Sequence, residues 1–194
     1  MNTKPNQTAK VAKPTFDDLL IPLSDAERAY FIELHEYAIA KGMKIKIEKP
    51  TASPIYVRYT YKKLYSLVLC TNPTRISIPY GLKDTPNNFE RFLEIVEEQA
   101  DSDSLIEYIQ DNIAICDGCA ANVASRERDK KKGIKKSCGY YWIDIRGVKR
   151  LSCIASSISK YRYGKDTIYN DKDIEMLKRL IDIRIMQIDN LHCT

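Results

Sequence analysis

At Gly42 the spacing of apolar residues changes from that of a helix to that of a strand, which commits the chain to a fold built from both elements. Upstream, Tyr30, Phe31, Leu34, Tyr37 and Ala38 recur at helical intervals and put one face on a core. "SDAE" opens this run: Ser24 is spaced to accept the Glu27 amide while Glu27 reaches back, and Gly42 supplies the left-handed residue that stops the helix. Downstream, "KIKIEK", "IYVRYTY", "LYSLVLC" and "RISIPY" read as four strands. The breaks between them, "PTASP", "KK" and "TNPT", are short and turn-compatible, so an antiparallel meander is the economical topology.

Helical spacing returns after Pro86. "NNFERFLEIVEEQ" and "SDSLIEYIQDNI" are two consecutive amphipathic helices able to cover one face of the meander. Their acidic surface carries Glu94, Glu97, Glu98, Asp101, Asp103, Glu107 and Asp111, either a solvated face or an interaction surface. "YYWIDIRGVKRLSCI" reads as a hairpin turning at Arg146 and Gly147. The last helix, over 171–189, has Ile174, Leu177, Ile181, Ile185 and Ile188 on one face, widened by Leu180, Ile183 and Met186. A helix this apolar is deeply packed in its own chain or pairs with a second copy in a homodimer. The expected fold is therefore α+β: an antiparallel four-stranded meander flanked by helices, with a C-terminal β-hairpin and long helix. Residues 1–14, polar and without periodicity, are expected to be a disordered tail. Residues 15–115 form the α+β domain, and 116–194 the cysteine-containing hairpin and helix packing on it, in one globular unit.

Four of the six cysteines, Cys116, Cys119, Cys138 and Cys153, are spaced C-x2-C-x18-C-x14-C. A C-x2-C turn presents two thiolates from one tight loop, as a tetrahedral zinc site requires, and Gly118 suits such a knuckle. Cys138 and Cys153 lie eight and six residues from the Arg146–Gly147 turn, which brings them together at the open end of the hairpin. Zinc is the expected ion, and iron uses the same ligands. The competing readings are a thiol or redox enzyme using Cys116 and Cys119, and thiols that are merely packed. A redox pair sits at a helix N-terminus, where the dipole lowers the thiol pKa, whereas this pair follows a helix. Haem attachment is excluded as a pattern, because Ala120 stands where C-x-x-C-H needs histidine. Cys70, at the end of a strand, reads as a small buried hydrophobe.

Other chemistry has little support. The chain has two histidines, and His35 reads as a solvated or hydrogen-bonded side chain rather than a ligand; no glycine-rich phosphate loop occurs among seven glycines. The net charge of +5 is concentrated around Arg126, Arg128, Lys130, Lys131, Lys132, Lys135 and Lys136, which is either a solvated loop or a nucleic-acid contact. Tyrosine is abundant, with 13 copies against 4 Phe and 1 Trp. Tyr56, Tyr59, Tyr61, Tyr65 and Trp142 are either half-buried sheet formers or the lining of a pocket or stacking platform. No apolar run approaches the roughly 18 residues of a spanning helix, and residues 1–14 lack a secretory apolar core, so a cytoplasmic protein is expected.

With "YVRYTYKKLYSLVLCTNPTRISIPY" at its centre, the order helix, meander, helix pair over residues 24–113 resembles the small YdhG-like and YjbR-like α+β domains. The half from "CDGC" to "DIEMLKRLIDIRIMQID" is similar to uncharacterised cysteine-containing proteins of clostridial type. The resemblance implies the fold. YdhG-like proteins are described as iron-chaperone-like and YjbR-like ones as DNA binders, and neither group contributes a motif that falls on particular residues here. The expected function is non-enzymatic binding of a small molecule or partner by a protein with a cysteine-bound structural metal; the alternatives are nucleic-acid binding through residues 126–136 and the thiol enzyme.

Overall fold

The computed structural model describes residues 13–48, 55–71, 74–80, 88–113, 140–153, 157–161 and 169–191, with the backbone alone at 88, 140–141, 151–153 and 160–161. Helix α1 (Phe16–Leu20) starts on a reciprocal cap between Thr15 and Asp18. It has no counterpart in the periodicity, because five residues do not complete two turns. Helix α2 (Asp25–Ala40) begins as "SDAE" predicts: Ser24 Oγ accepts the Glu27 amide at 3.4 Å and the Glu27 carboxylate accepts the Ser24 amide at 3.0 Å. It ends before Gly42, whose φ of +76° L side chains rarely adopt.

Strands β1 (Lys44–Glu48), β2 (Tyr56–Tyr61), β3 (Leu64–Thr71) and β4 (Thr74–Pro79) form the antiparallel meander. A strand absent from the sequence reading, β7 (Ser157–Tyr161), pairs antiparallel with β4 and completes a five-stranded sheet in the order β1-β2-β3-β4-β7. "SISKY" offers little apolar signal: Ile158, opposite Ile78, is buried, and the pairing of the strand is decided by the sheet edge it meets.

Val57, Tyr59, Leu67, Leu69, Ile76, Ile78 and Ile158 are fully buried on one face of the sheet, beneath the helices. Each buried aliphatic side chain of this size contributes about 1.5–3 kcal/mol relative to exposure. Helices α3 (Asn88–Glu97) and α4 (Ser102–Asn112) follow the meander, and Phe89 and Phe92 of α3 pack on Tyr80 at centroid distances of 4.6 and 6.3 Å. Helix α5 (Asp171–Leu191) is capped reciprocally by Asn170 and Asp173, at 2.9 and 3.2 Å. Its Ile174, Leu177, Leu180, Ile181, Ile183 and Ile188 are buried within the chain, so deep packing accounts for its apolar character. Tyr30 and Tyr37 of α2 donate across to Asp171 and Asp182 of α5, at 3.0 and 2.7 Å.

The hairpin of β5 (Tyr140–Ile145) and β6 (Val148–Cys153) forms a second, two-stranded sheet. Its two-residue turn has Arg146 at φ +49° and Gly147 at φ +81°, closed by Asp144 Oδ1 accepting the Gly147 amide at 2.7 Å. Ile143 and Ile145 face the core while Trp142 is 67% exposed. The turn docks on the helix pair: Gln110 donates to the Ile145 carbonyl at 2.9 Å, and Arg146 binds Glu97 and Asp103.

Candidate binding face

One irregularity in the meander decides where its tyrosines go. Tyr59 pairs with Leu67 but Thr60 pairs with Tyr65, so Ser66 is an extra residue on β3, a β-bulge. Without it, Tyr65 would share the core face with Leu67; the extra residue reverses the alternation and turns Tyr65 outward beside Thr60. The carbonyl of Tyr65 turns the other way and accepts from Arg184 Nε and Nη2 on α5, at 3.2 and 3.1 Å.

The pairing register then arranges nine outer-face positions in three rows: Lys44, Thr60 and Tyr65; Lys46, Arg58 and Val68; Glu48, Tyr56 and Cys70. The Arg58 guanidinium lies over two rings, 5.8 Å from the Tyr56 centroid and 5.6 Å from that of Tyr65. Glu48 is bound by both Arg58 and Lys46, the latter at 2.6 Å. The Lys46 hydrogen bond and the Arg58 charge hold the Glu48 carboxyl below the usual range, against the opposing effect of its partial desolvation. Three cations and one neutralised carboxylate share this surface with two aromatic rings. Tyr65 is 46% exposed, and the Lys46 side chain 66%.

The far side of the molecule has the opposite sign. Over residues 88–113 there are Glu90, Glu94, Glu97, Glu98, Asp101, Asp103, Glu107 and Asp111 against Arg91 alone. Part of that acidic surface is already engaged within the chain, Glu97 and Asp103 by Arg146 and Asp101 by Arg179 at 2.6 Å.

The five aromatic candidates thus separate. Tyr56 and Tyr65 share the outer face. Tyr59 is fully buried among the helices, where its hydroxyl meets His35 Nδ1 at 2.8 Å and burial raises its pKa strongly. Phe16 stacks on the other side of His35, at 4.1 Å. Tyr61 also turns to the helices, its hydroxyl donating to Asp189 at 3.5 Å. Trp142 stands on the hairpin beside a shallow cleft lined by Asp144 and Lys149. A second cleft, between α2, α5 and Gln99, is edged by Lys41 and Asp182, paired with each other at 2.7 Å.

Lys44, Lys46 and Arg58 are not among the sequence candidates, although "KIKIEK" carries the signal: its lysines alternate with isoleucines and so share the opposite face of the strand. Cys70 is buried, as its strand position suggests. Cys116, Cys119 and Cys138 lie outside the described residues, and of Cys153 only the backbone is described, opposite Tyr140 in the hairpin. Arg126, Arg128, Lys130, Lys131, Lys132, Lys135 and Lys136 also lie outside them. Among the described residues no group of three or more His, Cys, Asp or Glu side chains could hold a metal ion, and no helix is long and apolar enough to cross a membrane.

No protein-family model, curated protein or solved structure matches the chain. The likeness to YdhG-like and YjbR-like domains rests on the sequence pattern alone.

Proposed function

We propose that the chain is a non-enzymatic binding protein that receives an anionic partner on the outer face of β1–β3. The observation that carries this reading is Arg58, lying over the rings of Tyr56 and Tyr65, with its acidic neighbour Glu48 also neutralised by Lys46. That leaves a preorganised face of net positive charge, opposite a helix pair of net negative charge, a polarity that steers a polyanion to one side.

The proposal includes a structural metal, zinc before iron, held by Cys116, Cys119, Cys138 and Cys153. Two backbone pairings support it. Tyr140 pairs with Cys153, and Cys138 precedes Tyr140 by two residues, a span of at most about 7 Å. Ile113 bridges Ile158; Cys116 follows Ile113 by three residues, at most about 11 Å of chain, and Cys153 precedes Ile158 by five, at most about 18 Å. Chain spans of this length allow Cys116, Cys138 and Cys153 to converge, and Cys119 belongs to the same C-x2-C turn as Cys116. A metal there would fasten the hairpin to the end of α4 and contribute folding free energy directly.

Two measurements test the parts separately. Protein purified without added metal should carry one ion per chain, with four thiols reacting only after chelation; no metal, and a thiol count that chelation leaves unchanged, would remove the clamp. Replacing Lys44 and Lys46 by Glu should weaken binding to a heparin column and flatten its salt dependence, whereas elution at unchanged salt would remove the binding face.

A further inference from the structure

Resting on that reading of the face, we propose that the anionic partner is single-stranded nucleic acid, with Lys44, Lys46 and Arg58 drawing its phosphates and Tyr65 stacking a base. Three features of the face select this occupant. First, it combines cations with exposed aromatic surface: a polyanion without flat apolar groups would satisfy the charges and leave Tyr65, 46% exposed, unused. Stacking on an aromatic ring next to a basic groove is how proteins hold unpaired bases with little sequence preference. Second, the exposed part of the platform, from Lys44 and Lys46 to Tyr65, offers a ring to stack on, while a duplex keeps its base faces stacked on one another and has none to give it. Third, the acidic helix pair repels the backbone from the opposite side, which favours a strand running across β1–β3.

The bulge at Ser66 is what makes the platform. It turns Tyr65 out of the core, and the Arg58 guanidinium over the ring favours that orientation, so less conformational entropy is lost when a base arrives. The lysines alone have a plainer use, since charged side chains on an edge strand such as β1 deter pairing with another chain. An edge guard, however, has no need of Tyr65.

The test uses the full chain and three labelled probes: a 20-nucleotide oligo(dT), a 20-base-pair duplex and heparin. The expected result is tightest binding to oligo(dT), a loss of roughly tenfold for Tyr65→Ala, and retention for Tyr65→Phe, which keeps the stacking surface. Lys44→Glu combined with Lys46→Glu should weaken oligo(dT) binding and reduce the slope of its salt dependence by about 2. Circular dichroism of each variant confirms that the fold is retained. If all three probes bind alike and Tyr65→Ala changes nothing while the lysine reversals weaken every probe, the nucleic-acid inference falls and the anionic-partner reading stands. If the lysine reversals change nothing either, both fall.

Discussion

The guanidinium of Arg184 donates twice to the main-chain carbonyl of Tyr65, from Nε at 3.2 Å and from Nη2 at 3.1 Å. Its Nη1 donates to the Tyr80 carbonyl at 3.1 Å and also to Gln187, one turn along the same helix. One buried side chain on α5 thus pins the bulge that turns Tyr65 outward. Burial lowers the Arg184 pKa to about 10, so the group is still charged at neutral pH, and charge-assisted bonds hold the two carbonyls.

Replacing Arg184 by Met should cost about 2–4 kcal/mol, because an apolar chain of similar length leaves the carbonyls of Tyr65 and Tyr80 buried without these donors. Removing a desolvated charge offsets part of that cost. Urea denaturation measures the loss, and a cost below about 0.5 kcal/mol would mean that the bonds do not support the bulge.

His35 makes stability pH-dependent with a definite sign. Burial lowers its pKa and outweighs the opposing effect of Glu36, so the folded state resists protonating it. Its contribution is complete above the unfolded value of about 6.5 and is lost as pH falls through that value toward and through the lower folded one. The His35→Gln variant keeps a group able to bond Tyr59 but does not titrate. Its denaturation midpoint should fall less than that of the native chain between pH 7.5 and pH 5, and equal losses would refute the assignment.

The turn between β2 and β3 is built from Lys62 and Lys63 at φ +44° and +70°, a conformation glycine adopts without strain. Lys62 is held by Asp189 at 2.8 Å, which leaves Lys63 as the position to relieve. Lys63→Gly should stabilise the protein by about 1 kcal/mol, seen as a rise of a few degrees in Tm. An unchanged or lower Tm would show that the side chain contributes more than its backbone strain costs.

Arg146 joins the hairpin to the helix pair through Glu97 and Asp103. In Arg146→Ala, amide hydrogen exchange should accelerate in β5 and β6 while the amides of β2, β3 and β4 keep their protection. Added salt should reproduce part of the effect in the native chain, since these groups are accessible to screening. Equal exchange in both proteins would assign the docking to Ile143 and Ile145 instead.

Much of the fold was readable along the chain because the constraints involved are local. Ser24 and Glu27 sit three residues apart and can only cap one helix end; Ile45 and Ile47 alternate with lysines and can only belong to a strand; Arg146 and Gly147 suit a two-residue turn. The candidate face is half readable. Tyr56 and Tyr65 stand out in the sequence as tyrosines, but Tyr59 and Tyr61 are equivalent to them there, since residue type does not say which face of a sheet a side chain occupies.

What the sequence by itself determined is the inventory of elements: a capped helix, four strands, two amphipathic helices, a hairpin and a long apolar helix. Those follow from periodicity and capping, which act within a few residues. Only the tertiary structure decided that β7 joins β4, that Ser66 is an extra residue, and that Arg184 is buried against the carbonyl it exposes. Each depends on groups that meet across more than 80 positions of chain or on the register between strands, where packing and buried hydrogen bonds select among arrangements that local propensity leaves open.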